Sequence, residues 1–170
     1  MTSTALVAYG STYGSTAELA RTVGDGLRKT GLLVEVRSAD VVRDLTPYSA
    51  VVLGGALYSG RWQRDARRFA RRHRRALVRL PLWLFSSGPL DSSAAERDIP
   101  PPPSVRRLAH RLHARGHVTF GGSLDERADG WVARKIVASG KGGDFRDFEV
   151  VAAWAESVAR ELLSLTSRID

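Results

Sequence analysis

The residues best suited to chemistry lie near the start of the chain, in the run Gly10-Ser11-Thr12-Tyr13-Gly14-Ser15-Thr16. Four hydroxyls, from Ser11, Thr12, Ser15 and Thr16, crowd together just before a helical pattern. A helix start offers unpaired backbone N–H groups and partial positive charge, so hydroxyls gathered there make a site for phosphate. The same residue types also serve as plain N-caps with no ligand, and the segment alone leaves both readings open. A P-loop requires Lys followed by Ser or Thr after its glycines, and no Lys stands in this run. The dinucleotide pattern G-x-G-x-x-G is missing too. So are the adjacent acidic residues that a phosphate-accepting receiver domain places after its first strand. A hydroxyl cradle without a cation suits a single terminal monophosphate.

Other chemistries find less support. His110 and His113 have a spacing that can hold a metal, but no neighbouring carboxylate or cysteine completes a ligand set. A Ser-His-Asp hydrolase lacks its G-x-S-x-G elbow. The chain has no cysteine. That excludes thiolate nucleophiles, disulfides, iron–sulfur clusters and Cys-ligated zinc.

A phosphate loop works only if strands and helices hold it in place. Short apolar runs at Ala5–Tyr9, Leu32–Val36, Ala50–Gly55, Leu82–Ser86 and His117–Gly121 read as five strands. Between and after them, helical periodicity predicts a helix through Leu19, Ala20, Val23 and Leu27 closed by Gly31 after Lys29, and helices over Gln63–Val78, over Ser104–Arg115 with Ser104 as N-cap, and over Arg146–Leu165. Strand–helix alternation implies an α/β domain with a parallel sheet and helices on both faces. Five strands suggest the 2-1-3-4-5 order of the doubly wound folds, whose ligand crevice lies beyond the first and third strands. The whole chain, 1–170, reads as one domain; 43% hydrophobic and 26% charged content suits a single packed core. Two segments interrupt the alternation. Leu90–Pro103 ends in four prolines and reads as a stiff spacer. Ser123–Asp144 reads as an insertion between the fifth strand and the last helix, with a short helix expected at Trp131–Ala138.

The segment Ser11-Thr12-Tyr13-Gly14-Ser15-Thr16 resembles the phosphate loop of flavodoxins. The run from Val51 to Gly60, then Arg71-Arg72-His73, and the ending Gly142-Gly143-Asp144-Phe145-Arg146-Asp147-Phe148 resemble the menaquinone-dependent, flavodoxin-type protoporphyrinogen IX dehydrogenases of heme biosynthesis. The resemblance implies FMN, its phosphate held by Ser11, Thr12, Tyr13, Gly14, Ser15 and Thr16. It places the isoalloxazine against the loop Ala56, Leu57, Tyr58, Ser59, Gly60 and Trp62, with Tyr58 and Trp62 as stacking candidates. Gly60 can adopt positive φ and turn its carbonyl toward the flavin. The backbone of Ser87, Gly88, Pro89 and Asp91 would read the pyrimidine edge. The flavin would carry the redox chemistry, with no catalytic side chain.

The implied function is an FMN-dependent oxidoreductase that oxidises a small-molecule substrate and passes electrons to a quinone. Two alternatives stand beside it: an electron-carrier flavodoxin with a redox protein partner, and a flavodoxin-fold binding module without flavin. Charge bears on the choice. Lys+Arg is 26 against 18 Asp+Glu, a formal net charge of +8. Positive charge favours a reduced, anionic flavin and so a higher potential than in an acidic carrier. The arginines concentrate between Arg61 and Arg79, opposite a stripe of Ala66, Phe69, Ala70, His73 and Leu77. Such a helix packs its stripe on the core and leaves a solvated basic face. That face also suits the carboxylates of a tetrapyrrole or an anionic membrane surface. Nucleic acid is disfavoured, since no aromatics interleave with the arginines. The N-terminus lacks a basic segment followed by an apolar core, and no apolar run approaches membrane-spanning length. The expected location is cytoplasmic, peripheral to the inner face of the membrane at most.

Overall fold

Alternate residues of the first strand, β1 (Thr4–Gly10), pack on opposite faces, and this divides the molecule into two cores. Ala5 and Val7 join one cluster, and Leu6 and Ala8 join the other. A computed structural model describes residues 4–11, 14–88, 99–124, 143–144 and 146–168. In it β1 is followed by α1 (Ser15–Arg28), β2 (Leu33–Ser38) and β3 (Tyr48–Tyr58). A two-residue strand β4 (Arg61–Trp62) precedes α2 (Arg64–Arg72) and α3 (Arg74–Leu77). Then come β5 (Leu82–Ser87), α4 (Pro103–Arg111) and β6 (Gly116–Phe120). The short strands β7 (Ser123–Leu124) and β8 (Gly143–Asp144) precede α5 (Phe148–Ser167).

The main sheet is parallel, in the order β2-β1-β3-β5-β6. Counting parallel strands alone, that is the expected 2-1-3-4-5 order of a flavodoxin-like α/β fold. Helices α1 and α5 cover one face, with Leu19, Val23 and Leu27 packed with Val151, Ala155 and Val158 over Trp83 and Phe85. Helices α2 and α4 cover the other, where Phe69, Val105 and Leu112 join Val51, Leu53, Leu82 and Leu84. Burial on both faces explains why the strands read as unbroken apolar runs rather than alternating ones.

Two adjacent glycines let aromatic rings lie flat on β3. A Cβ on Gly54 would meet the Phe85 ring at 2.0 Å, and one on Gly55 would meet Trp62 at 2.6 Å on the other face. Trp83 is tied differently. Its indole N–H donates to Glu161 at 3.2 Å, and Arg115 donates to the same carboxylate at 3.0 Å, joining α5 to the edge of the sheet.

Three expected helices differ in detail. The predicted helix over 63–78 divides at His73, whose φ of −103° and ψ of 17° leave the helical range. Bonds from His73 N–H to the Phe69 carbonyl and from Leu77 N–H to the His73 carbonyl persist across the kink. The predicted helix over 104–115 starts at Pro103 and ends at Arg111, because His113 enters left-handed geometry at φ 55°. Ser104 is not its cap: Pro102 is, with φ −61° and ψ 158°, the extended geometry that a proline run favours. The last helix starts two residues late, at Phe148, because Asp147 caps it by accepting from the N–H groups of Glu149 and Val150. The antiparallel pair β7–β8 joins the two ends of the insertion, while Trp131–Ala138 lies outside the described residues.

Candidate functional site

The loops after β1, β3 and β5 leave the sheet at one edge. Gly10 pairs with Gly55, and Ala56 with Ser87, so the three exits stand side by side. The first enters α1 through Gly14, at φ 85°, whose N–H donates to Ser11 Oγ at 3.0 Å. Ser15 opens the helix. Thr16 is fully buried, and its Oγ1 has no hydrogen-bond partner among the described residues. A buried hydroxyl left unpaired costs about 1–3 kcal/mol. Thr16 stands in the first turn of a 14-residue helix, where a phosphate oxygen could accept that hydroxyl's proton along with the free N–H groups. Thr12 and Tyr13 lie outside the described residues.

A cation does stand by this loop, though none lies within it. Arg146 donates to the Ser15 carbonyl at 3.4 Å and to Glu18 at 2.5 Å, and its side chain is only 10% exposed. Its guanidinium also lies 5.0 Å from the centroid of the Phe148 ring. Local motif reading missed Arg146 because it is remote in sequence. Topology carries the signal: α1 and α5 share a face and both begin at the same edge of the sheet, so the residue preceding α5 arrives beside the start of α1.

The loop after β3 is a hairpin. β3 runs on through Ala56, Leu57 and Tyr58, turns at Ser59 and Gly60, and returns as β4. Both turn residues have positive φ, 50° and 76°, as the tight two-residue turn requires. The expected positive φ at Gly60 is therefore present. Its carbonyl, however, accepts a hydrogen bond from Ser104 Oγ at 2.7 Å, which ties the turn to α4. Tyr58 stands at the tip, 41% exposed. Ala56 is buried and Leu57 packs on the core.

Trp62 corrects the expectation of a second stacking ring. It is 2% exposed, lies against Gly55 and donates its indole N–H to Ser86 Oγ at 2.8 Å. Without an open face it cannot cover a planar ligand. Ser86 Oγ in turn stands 2.8 Å from His117 Nε2. A hydroxyl that accepts from Trp62 can either donate to Nε2 or accept from it, so the contact holds with either neutral tautomer of His117. Burial keeps the ring neutral, pushing the His117 pKa down to about 4. This buried chain, unread in the sequence, fixes the base of the hairpin.

After β5, Ser87 is buried and the Gly88 N–H donates to the Phe120 carbonyl at 2.9 Å. That amide extends the β5–β6 pairing and is not free to read a ring edge, contrary to expectation. Pro89 and Asp91 lie outside the described residues. His110 and His113 do not share a helix face as their spacing suggested, since His113 lies beyond the end of α4. Among the described residues no helix is long and apolar enough to cross a membrane.

A family model described as a flavodoxin domain matches residues 6–142. No curated protein matches the chain in sequence. A flavodoxin from the domain Archaea superposes with a TM-score of 0.60 at 15% identity, over 93% of this chain and 97% of its own. The Streptococcus pneumonia TIGR4 flavodoxin gives 0.59 at 18% identity, over 95% and 99%. The rubredoxin oxygen:oxidoreductase of Desulfovibrio gigas gives 0.64 at 11% identity over 95% of this chain, which spans only 36% of that protein. At these identities the structural likeness establishes the fold.

Proposed function

The chain belongs to the flavodoxin domain family, and from that premise we propose that it is an FMN-dependent oxidoreductase that oxidises a small-molecule substrate and passes the electrons to a quinone-type acceptor. Family membership implies FMN as the cofactor. The observation that carries the reading here is the unpartnered, buried Thr16 Oγ1 at the start of α1. It is a donor in want of an anion, at the turn where the family's phosphate would sit. When bound, FMN supplies the electron and hydride chemistry.

The chain's own residues bind and orient. Ser11, Ser15 and Thr16 offer hydroxyl and amide groups to a phosphate, while the Gly14 N–H holds the turn through Ser11 Oγ. Arg146 holds the first turn of α1 in position through the Ser15 carbonyl and Glu18. Tyr58, exposed at the hairpin tip, is a candidate to flank a planar ring. Ser104 holds the turn beneath it through Gly60.

The finer assignment, a protoporphyrinogen IX dehydrogenase acting at the surface of an anionic membrane, rests on the resemblance over Val51–Gly60, Arg71–His73 and Gly142–Phe148. The net charge of +8 supports substrate oxidation over low-potential carriage, because a positive field favours the reduced, anionic ring.

The test is to load the full chain with FMN, desalt it and record the visible spectrum. Retained flavin absorbance is expected, followed by bleaching with a reduced tetrapyrrole and recovery with a menaquinone analogue. Retained flavin that exchanges single electrons with redox proteins and ignores tetrapyrroles would establish the carrier instead. A colourless protein would remove both readings.

A further inference from the structure

A flavin site uses only one end of the arginine-rich stretch. The segment Arg61–Arg64 starts at the hairpin, but α2 runs antiparallel to the strands, so Arg71 and all that follow stand at the opposite edge of the sheet. There the loop before β3, the kink at His73 and α3 border an open cleft of about 620 Å³. Arg43, Arg71, Arg72, Arg74, Arg75 and Arg79 line it, and all six are exposed. None is paired with a carboxylate among the described residues. The acidic side chain in the lining, Asp44, is engaged with its own loop. It accepts from Thr46 N–H at 3.0 Å and Thr46 Oγ1 at 2.6 Å, and these bonds lower its pKa.

The buried ring at the kink forms the floor between the two walls. His73 lines the same cleft, is 9% exposed, and its Nε2 is buried with no hydrogen-bond partner among the described residues. The ring is held 4.6 Å from that of Phe69, centroid to centroid. Like-charged guanidinium groups gathered on two walls of one cleft repel one another until an anion lies between them.

We propose that this cleft binds a small, multiply phosphorylated anion, gripped between Arg43 on one wall and the arginines from Arg71 to Arg79 on the other. Guanidinium groups match phosphate oxygens in bidentate pairs, which neither lysines nor a diffuse field would provide. The volume falls in the range of small-molecule pockets, about 300–1,000 Å³. A flat membrane could touch the exposed arginines but could not enter between the two walls of the cleft. A nucleic acid read by stacking finds no platform, because Tyr48, the aromatic in the lining, is buried and bonded through its hydroxyl to Glu35. The phosphates are therefore what the site reads.

The experiment is a calorimetric titration of the flavin-loaded full chain with inorganic tripolyphosphate at about 0.1 M salt, where long-range fields are largely screened. Saturable one-to-one binding is expected, with the flavin spectrum unchanged. The double variant Arg71→Gln/Arg75→Gln should weaken it by about 100-fold, roughly tenfold per charged hydrogen-bonding group. Arg106→Gln/Arg107→Gln removes the same charge from the exposed face of α4 and should change it by less than about twofold. These are surface substitutions, so folding is not at stake. Absence of saturable binding, or equal weakening by the two doubles, overturns the proposal. Vesicles containing phosphatidylglycerol separate the sources of phosphate: lipid binding that needs Arg71 and Arg75 but is not displaced by tripolyphosphate also overturns it. The same titration on flavin-free protein should give the same affinity, so this reading and that of the flavin site fail separately.

Discussion

Thr16 carries opposite consequences for folding and for binding. Its hydroxyl is buried and unpaired, so it weakens the protein without ligand and strengthens the complex. Thr16→Val keeps the shape and removes the oxygen. In the flavin-free state the variant should be more stable by about 1 kcal/mol in urea unfolding, while its FMN dissociation constant rises about tenfold in a fluorescence titration. Loss of stability with unchanged FMN affinity would show that the hydroxyl serves the fold rather than the ligand. His117 gives a second prediction at this scale. Its folded pKa is depressed to about 4 from an ordinary 6.5 by burial. Above 6.5 neither state binds the proton. Between 6.5 and about 4 the unfolded chain takes it up and the folded protein does not, so stability falls as pH falls. Below about 4 both states are charged and this contribution levels off. The shift corresponds to about 3 kcal/mol across the window. His117→Gln keeps a hydrogen-bonding partner for Ser86 and should remove that share of the decline, measured by urea unfolding at steps from pH 7.5 to 4. The hydroxyl of Thr16 was legible in the sequence because its neighbours form a local motif. The Trp62–Ser86–His117 chain was not, because its members come from three separated elements that meet only when the sheet assembles.

The hairpin after β3 shows how element geometry decides which residues can meet a ligand. Register places Leu57 opposite Trp62 and Tyr58 opposite Arg61, so the strand's alternation turns Trp62 into the core and leaves Tyr58 at the tip. Gly55 makes room for the inward ring and Gly54 for Phe85. Gly55→Ala should therefore cost about 1–3 kcal/mol in denaturant unfolding and push β4 outward, and Gly54→Ala should cost at least as much, since its added atom would meet a ring at 2.0 Å. An unchanged midpoint for both would mean the rings shift freely and the hairpin is not pinned. The five parallel strands could be read from sequence because burial on both faces makes each a bounded apolar run. β4 could not, since two residues carry no periodicity and Ser59-Gly60 resembles ordinary loop. Ser104 looked like a cap because serine precedes a helical pattern, yet Pro102 and Pro103 already set the helix start and free its hydroxyl for Gly60, 44 residues away in sequence. The kink at His73 was hidden for a related reason: Phe69, His73 and Leu77 keep continuous helical spacing, and only tertiary packing interrupts it.

On the scale of the whole molecule, the net charge of +8 acts on both ends of the sheet, but with different reach. The arginines of the cleft stand at the edge opposite the phosphate loop. At about 0.1 M salt the screening length is about 10 Å, so their field is mostly lost before it crosses the domain. At low salt it is not. Eight unit charges at an average distance of about 15 Å in water would shift the free energy of adding a negative charge by about 2 kcal/mol, and screening cuts this several-fold. The midpoint potential of bound FMN should therefore fall by some tens of mV as salt rises from about 0.02 to 0.5 M, the opposite direction to an acidic carrier. Arg71→Gln/Arg75→Gln should reduce that salt dependence while leaving the high-salt potential unchanged, because those residues act only through the long-range field. Potentiometric titration of both proteins at several salt concentrations measures this directly. A potential that stays constant with salt would mean that the charge is not felt at the flavin. The argument from charge for substrate oxidation over electron carriage would then fail, even with the cofactor in place.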